Sequence, residues 1–239
     1  MTTDFAAAAT DLTDLLGLST APLAISFHAG PVDGVDAYGA DYPAPTDGGR
    51  TGAVPAGCVF WTKAVDRTFS TVADDHGNCS VGSLTHGFRT LEEVGGNEDV
   101  AALVGAEWVS PEVFPQIPVV KEKPQAVVYG PLGDSAATPD VVFIRLNGKQ
   151  AMMLHDACPD IHFEGKPQCH VIPMAKDQGM IALSVGCMLS RVRTGMSNNE
   201  MTCAIPAARL GDVIDALRTA TAADLQVAAY AAQDAKRFN

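Results

Sequence analysis

Apolar residues near the start of the chain recur at helical spacing: Phe5, Ala8, Leu12 and Leu16 share one face, and Gly17 follows as a stop. The pattern predicts a first helix over residues 4–16. PLAISFH, residues 22–28, reads as a strand. Residues 29–56 are dense in Gly, Pro and Asp. They predict a long irregular loop, a length that is uncommon in compact domains and often functional. Cys58, Trp61, Val65 and Phe69 lie on one helical face, which predicts a helix over 58–69 with Cys58 in its first turn and Gly57 letting the backbone come close to whatever the thiol touches. A helix is expected within 79–88, with Asn78 or Ser80 near its cap, and strands at 117–120, 125–129 and 140–146. GKQAMMLHDAC reads as a helix, and GMIALSV and EMTCAIP as strands. Leu210, Val213, Ile214 and Leu217 form an amphipathic stripe after Pro206, and Thr221 with Asp224 resembles a capping box opening a last Ala-rich helix.

Helices and strands mix without a strict βαβ rhythm. The expectation is therefore an α+β or mixed α/β fold: one metal-cofactor-binding domain over residues 1–239, a mixed sheet flanked by helices, and a helical extension from about 207. The 239 residues suffice for a large core, and 47% hydrophobic against 18% charged residues excludes wholesale disorder. Net charge is −12, and residues 1–49 hold seven Asp and no Lys or Arg. That leaves no basic stripe for phosphate there, so nucleic acid is not expected as a partner. The opening segment has no basic n-region, and the longest apolar run, MIALSVGCML, is ten residues. Neither a signal peptide nor a membrane span is expected, and the chain is placed in the cytoplasm.

In that compartment thiols stay reduced, so the six cysteines, at 58, 79, 158, 169, 187 and 203, read as buried, catalytic or metal-binding rather than disulfide-paired. Thiolates converging from separate segments are the usual way to hold an iron-sulfur cluster. Cys58, Cys79, Cys169 and Cys187 each lie in a Gly-containing or turn-like context, but their spacings of 21, 90 and 18 match no compact ferredoxin pattern. The plain alternative is four buried small hydrophobes. Cys203, in the strand MTCAIP, fits that alternative best.

Other chemistries stay open. HDACPDIHFEGKPQCH crowds His155, Cys158, His162, Cys169 and His170 into sixteen residues and could assemble a zinc site, although the spacing matches no common finger. Haem could take Met152, Met153, His155 or a cysteine, without covalent attachment since CxxCH is missing. A metal-free thiol enzyme would use Cys79, with His76 and His86 near it in sequence and a helix N-terminus to lower its pKa. Arg191 and Arg193 form a basic pair after Cys187 that could bind the carboxylate or phosphate of a substrate, with Glu200 as an ion-pair partner for one of them.

The ordered segments LGLSTAPLAISF, GCVFWTKA, HGNCSVG, PDVVFIRLNGKQAMMLHDA and SVGCMLSRVRTGMSNNEMTCAIPAARLGDVIDAL resemble the prokaryotic "domain of unknown function 169" family, over roughly residues 12–218. The family carries no settled activity. The resemblance implies cysteines at Cys58, Cys79, Cys169 and Cys187, with none matching Cys158 or Cys203, and an Asn-Gly-Lys-Gln-Ala segment at residues 147–151. The chain departs from the family pattern at Met188 and Leu189, where a smaller Gly and a polar residue are usual. The expectation is thus a [4Fe-4S] cluster on Cys58, Cys79, Cys169 and Cys187 serving an oxidoreductase or an iron-sulfur-dependent lyase. Its partners would be a small-molecule substrate or a redox protein, and a second copy of the chain. Arg191, Arg193 and the loop at 29–56 would form the substrate wall.

Overall fold

The structure is a computed structural model that describes residues 4–39 and 54–238. Helix α1 (Phe5–Leu16) begins where the Asp4 carboxylate accepts the N–H groups of Ala6 and Ala7, each at 3.1 Å, and ends where Gly17 turns left-handed at φ 64°. β1 (Leu23–His28) follows. After it come α2 (Cys58–Lys63), β2 (Phe69–Thr71), α3 (Ser80–Thr85), α4 (Leu91–Val94), α5 (Glu98–Gly105), β3 (Ala126–Pro131) and β4 (Val141–Leu146). The chain continues through α6 (Gly148–Ala157), β5 (His162–Gly165), α7 (Val171–Gln178), β6 (Ala182–Ser184), α8 (Met188–Thr194), β7 (Met201–Pro206) and α9 (Leu210–Asp234).

Among the described residues the strands form one seven-stranded sheet in the order β2-β3-β1-β4-β7-β6-β5. Every pairing is antiparallel except β5 with β6, so the sheet is mixed and the fold is α+β. Side chains alternate across a strand. In β4, Val141 and Phe143 enter one core while Val142, Ile144 and Leu146 enter the other. The first core packs α2, α7 and the aromatic residues Phe60, Phe69 and Tyr129. The second packs α1, α6 and the start of α9 through Leu12, Leu154, Leu210, Val213 and Leu217. All of the candidate chemistry on the first face is thus sealed from the second by a sheet.

Several expectations change. The helix opened by Cys58 stops at Lys63, and Phe69 instead begins β2, where it pairs with Tyr129. Residues 117–120 are not a strand: Pro115 and Pro118 remove ladder donors, and the segment is pinned by Val120 N–H to the Thr85 carbonyl (2.9 Å) and Lys121 N–H to Asp177 (2.7 Å). Thr221 caps no second helix. Its hydroxyl lies 3.4 Å from the Leu15 carbonyl, and α9 runs through it unbroken. Of the long loop expected at 29–56, residues 40–53 lie outside the described residues. No helix among the described residues is long and apolar enough to cross a membrane.

Candidate functional site

The first face of the sheet gathers the four expected thiols. Cys58 is the first residue of α2, Cys79 is the N-cap of α3, Cys169 sits in the 3-10 turn Gln168–His170 that leads into α7, and Cys187 is the N-cap of α8. All four line one apolar cavity with about 500 Å³ of free space counted to its open mouth, together with Trp61, His86, Gln168, Ser190 and Arg193. Cys158 and Cys203 belong to the core on the other face, so the sheet itself divides the six cysteines into four and two. All six are free thiols.

Local structure fixes each thiol. Cys79 stands in extended backbone (φ −137°), which turns its sulfur back to accept the Gly82 N–H at 3.4 Å. The cap of α3 is therefore the cysteine itself, not Asn78 or Ser80. Ser80 serves instead as a tie between helices, because its N–H and hydroxyl both donate to the buried Asp99 carboxylate, at 3.0 and 2.6 Å, and so fasten the start of α3 to α5. Cys187 follows Gly186, whose φ of 102° only glycine adopts easily. A Cβ there would lie 2.8 Å from Met196 and 2.9 Å from the Arg191 guanidinium. Gly57 serves a different neighbour than expected: it admits the imidazole of His76, whose Nδ1 would lie 3.3 Å from an added Cβ.

Burial sets the protonation of the thiols. It pushes Cys79 up to about 12, with the Gly82 hydrogen bond and Arg193 only partly opposing. It also raises Cys58, partly offset by a Ser190 hydrogen bond and Arg193, and raises Cys169, where the neighbouring cysteines add to the shift. The charge on each of these thiols is felt by others of the set, so they share one electrostatic neighbourhood. The helix N-terminus expected to activate Cys79 is outweighed, because α3 has only six residues and burial of the half-buried thiol dominates. Its histidine neighbours do not act as charged partners either. His86 is lowered to about 4 and His76 further below its usual range, both by burial.

Several polar atoms at this cavity have no partner in the protein. Trp61 Nε1, Arg193 Nη1, His86 Nε2 and Gln168 Oε1 are all buried without a hydrogen bond. Two of them, the indole and guanidinium N–H groups, can only donate. Buried donors are normally satisfied, so these invite an acceptor placed among the thiols. A single ion needs thiolates at about 2.3 Å; among the described residues no three His, Cys, Asp or Glu side chains stand close enough to hold one. The thiols ring a void instead of meeting at a point.

The two arginines part company. Arg193 lines the cavity, whereas Arg191 does not: its guanidinium donates to the carbonyls of Val185 (2.7 Å), Ser197 and Glu200 (3.3 Å) and braces the Gly186 loop. The Glu200 carboxylate grips Arg145 through two bonds of 2.6 and 2.8 Å, pairing with neither Arg191 nor Arg193. The crowded Cys-His stretch also disperses. Cys158 faces the second core, His155 is exposed beside Asp156 at 4.0 Å, and His162 and His170 both bond to Glu164, at 2.9 and 2.7 Å. Met152 is exposed and Met153 is buried in the second core, so of the residues considered for haem these methionines and His155, on α6, lie across the sheet from the thiols, and only a cysteine lies at the cavity. Ser190, Gln168 and Asp99 carry no motif that would single them out in the sequence.

Searches of curated proteins and of solved structures find no match to the chain. Residues 11–216 match the DUF169 family, described as an uncharacterised ArCR family. That span contains the second half of α1, the whole sheet and all four cavity thiols, so the chain belongs to the DUF169 family.

Proposed function

We propose that the protein holds an iron-sulfur cluster of the [4Fe-4S] type on Cys58, Cys79, Cys169 and Cys187. The observation that carries the reading is the convergence of these four thiols, from four separate segments, on one cavity that also holds buried, unpaired N–H donors of Trp61 and Arg193. The donor set fits. A cluster spreads its irons over several ångströms and so suits thiols that ring a void, and its sulfides accept N–H hydrogen bonds. Arg193 supplies positive charge where thiolates and sulfides would bring negative charge. Bound iron would offset the burial that raises the thiols of Cys58, Cys79 and Cys169.

Such a group supplies one-electron transfer, or Lewis acidity at an iron with an open position. The chain's own part is to hold the thiols, exclude water with Trp61 and the apolar wall, and orient them through the Ser80–Asp99 and Ser190–Gln168 hydrogen bonds. A small-molecule substrate or a redox protein would meet the cavity at its mouth, with Arg193 in the wall and Ala56 and Gly57 at the end of the long loop beside it. Six free thiols accord with a reducing cytoplasmic setting.

The test is anaerobic purification and reconstitution with iron and sulfide, read by metal and sulfide content and the electronic spectrum. About four iron and four sulfide per chain, with absorbance near 400 nm that bleaches on reduction, is expected. Cys→Ser at any of the four should lose the cluster, while Cys203→Ala keeps it. Zinc alone after the same treatment would sink the reading.

A further inference from the structure

A second cavity lies beside the thiols. It shares Val81, Leu103, Trp108 and Pro167 with the first, and α3, α4, α5 and the segment 108–117 close around it. Its free space is about 630 Å³ counted to the mouth, and its wall is almost wholly apolar, through Leu84, Val94, Val100, Leu103, Trp108 and Phe114. This polarity suits the apolar body of a small organic molecule.

The polar side chains at its edge are accounted for, with one exception. The Ser80 hydroxyl donates to Asp99 and accepts from Asn97 Nδ2 at 2.8 Å. The Lys166 ammonium donates to the Trp108 carbonyl at 3.0 Å and lies 4.0 Å from the Trp108 ring centroid. His170 is different. It is 8% exposed, and its Nε2 is buried with no hydrogen-bond partner. Its other nitrogen, Nδ1, lies 2.7 Å from a Glu164 carboxylate oxygen, and Glu164 also takes His162 at 2.9 Å. A carboxylate only accepts, so Nδ1 carries a proton and Nε2, on the opposite edge of the ring, is left to accept. An unmet acceptor in an otherwise apolar wall is a costly feature unless a ligand meets it.

We infer that this cavity is a binding site for a small, neutral, mostly apolar molecule of one ring bearing a single hydroxyl, a phenol or cyclic alcohol, whose O–H donates to His170 Nε2. The apolar wall buries the ring system. One hydrogen bond fixes its direction, and the lone inward acceptor on His170 disfavours a carboxylate head, which can only accept, while the Lys166 ammonium sits at the edge against Trp108. The site does not depend on what the thiols hold.

The probes are phenol, toluene and benzoate, titrated into the full-length chain and followed by ligand-observed NMR. Phenol is expected to bind about fivefold more tightly than toluene, the worth of one hydrogen bond, and benzoate more weakly than either. His170→Phe should bring phenol and toluene level. Val113→Trp, at a rim position 40% exposed and so tolerant of a large side chain, should abolish binding of both. Equal affinity for phenol and toluene in the unaltered chain, tightest binding of benzoate, unchanged binding in Val113→Trp, or no binding of phenol up to its solubility limit would each overturn the assignment.

Discussion

Two buried histidines make a quantitative claim about acid. His76 and His86 stand with ring centroids 5.1 Å apart in the core behind the thiols, each about 1% exposed. Burial lowers His86 to about 4 and holds His76 well below its ordinary value, so in the folded chain both resist the proton that an unfolded histidine takes up. The unfolded state therefore binds more protons than the folded one between the ordinary value of about 6.5 and the lowered one, and stability rises with pH across that window. It is fully present above pH ~6.5 and is lost as pH falls from there towards 4. At pH 5 the unfolded chain gains about 1.5 units of protonation free energy per histidine, or about 2 kcal/mol each at 1.4 kcal/mol per unit. His86 alone thus costs about 2 kcal/mol between pH 7.5 and 5, and His76 adds a loss of the same sign, against a domain stability of roughly 5–15 kcal/mol. The raised Asp75 opposes this, adding stability as pH falls through its raised folded value. Urea unfolding of the metal-free chain at half-unit steps from pH 7.5 to 5 measures the loss, and His86→Gln should remove about 2 kcal/mol of it. A free energy flat over that range would refute neutral burial of the two rings.

Gly186→Ala should lower stability by about 1–3 kcal/mol in the same urea assay, since a residue at φ 102° is strained and the new methyl displaces the Arg191 guanidinium from its carbonyls; an unchanged midpoint would show that the loop relaxes freely. Asp99→Ala leaves the Ser80 N–H and hydroxyl without their acceptor and should cost about 2–3 kcal/mol, with faster alkylation of Cys79 as the local readout. Glu200→Ala should cost about 2 kcal/mol by thermal melting, because Arg145 loses both bonds of a pair whose side chains are about four-fifths buried.

Legibility in the sequence follows the range of the interaction. Helix α1 is readable because its stripe, its cap at Asp4 and its stop at Gly17 are all local. The strands β1, β3, β4 and β7 are readable from short apolar runs with turn residues between them. The helix from Cys58 reads too long, because Phe69 keeps helical spacing while its side chain is claimed by Tyr129 in the neighbouring strand. The capping box at Thr221 fails because a tertiary contact with Leu15 engages the hydroxyl. Four cysteines can be chosen from six through the family pattern, but their meeting at one cavity is a property of the sheet, whose faces send Cys158 and Cys203 the other way. The division of labour between Arg191 and Arg193 has no signal at all, since two residues of separation on a short helix decide which one reaches the cavity.

The thiols also impose an order on synthesis. Cys58 and Cys79 leave the ribosome long before Cys187, and the strand that joins their half of the sheet to the other, β4, lies between them in the chain. A nascent chain cut short before residue 187 has an incomplete ring of sulfurs and an open sheet, and closing 129 residues between Cys58 and Cys187 is left to the finished fold. The four thiols therefore share one cavity only after most of the chain has been made, and anything that requires all four at once meets the nearly complete fold.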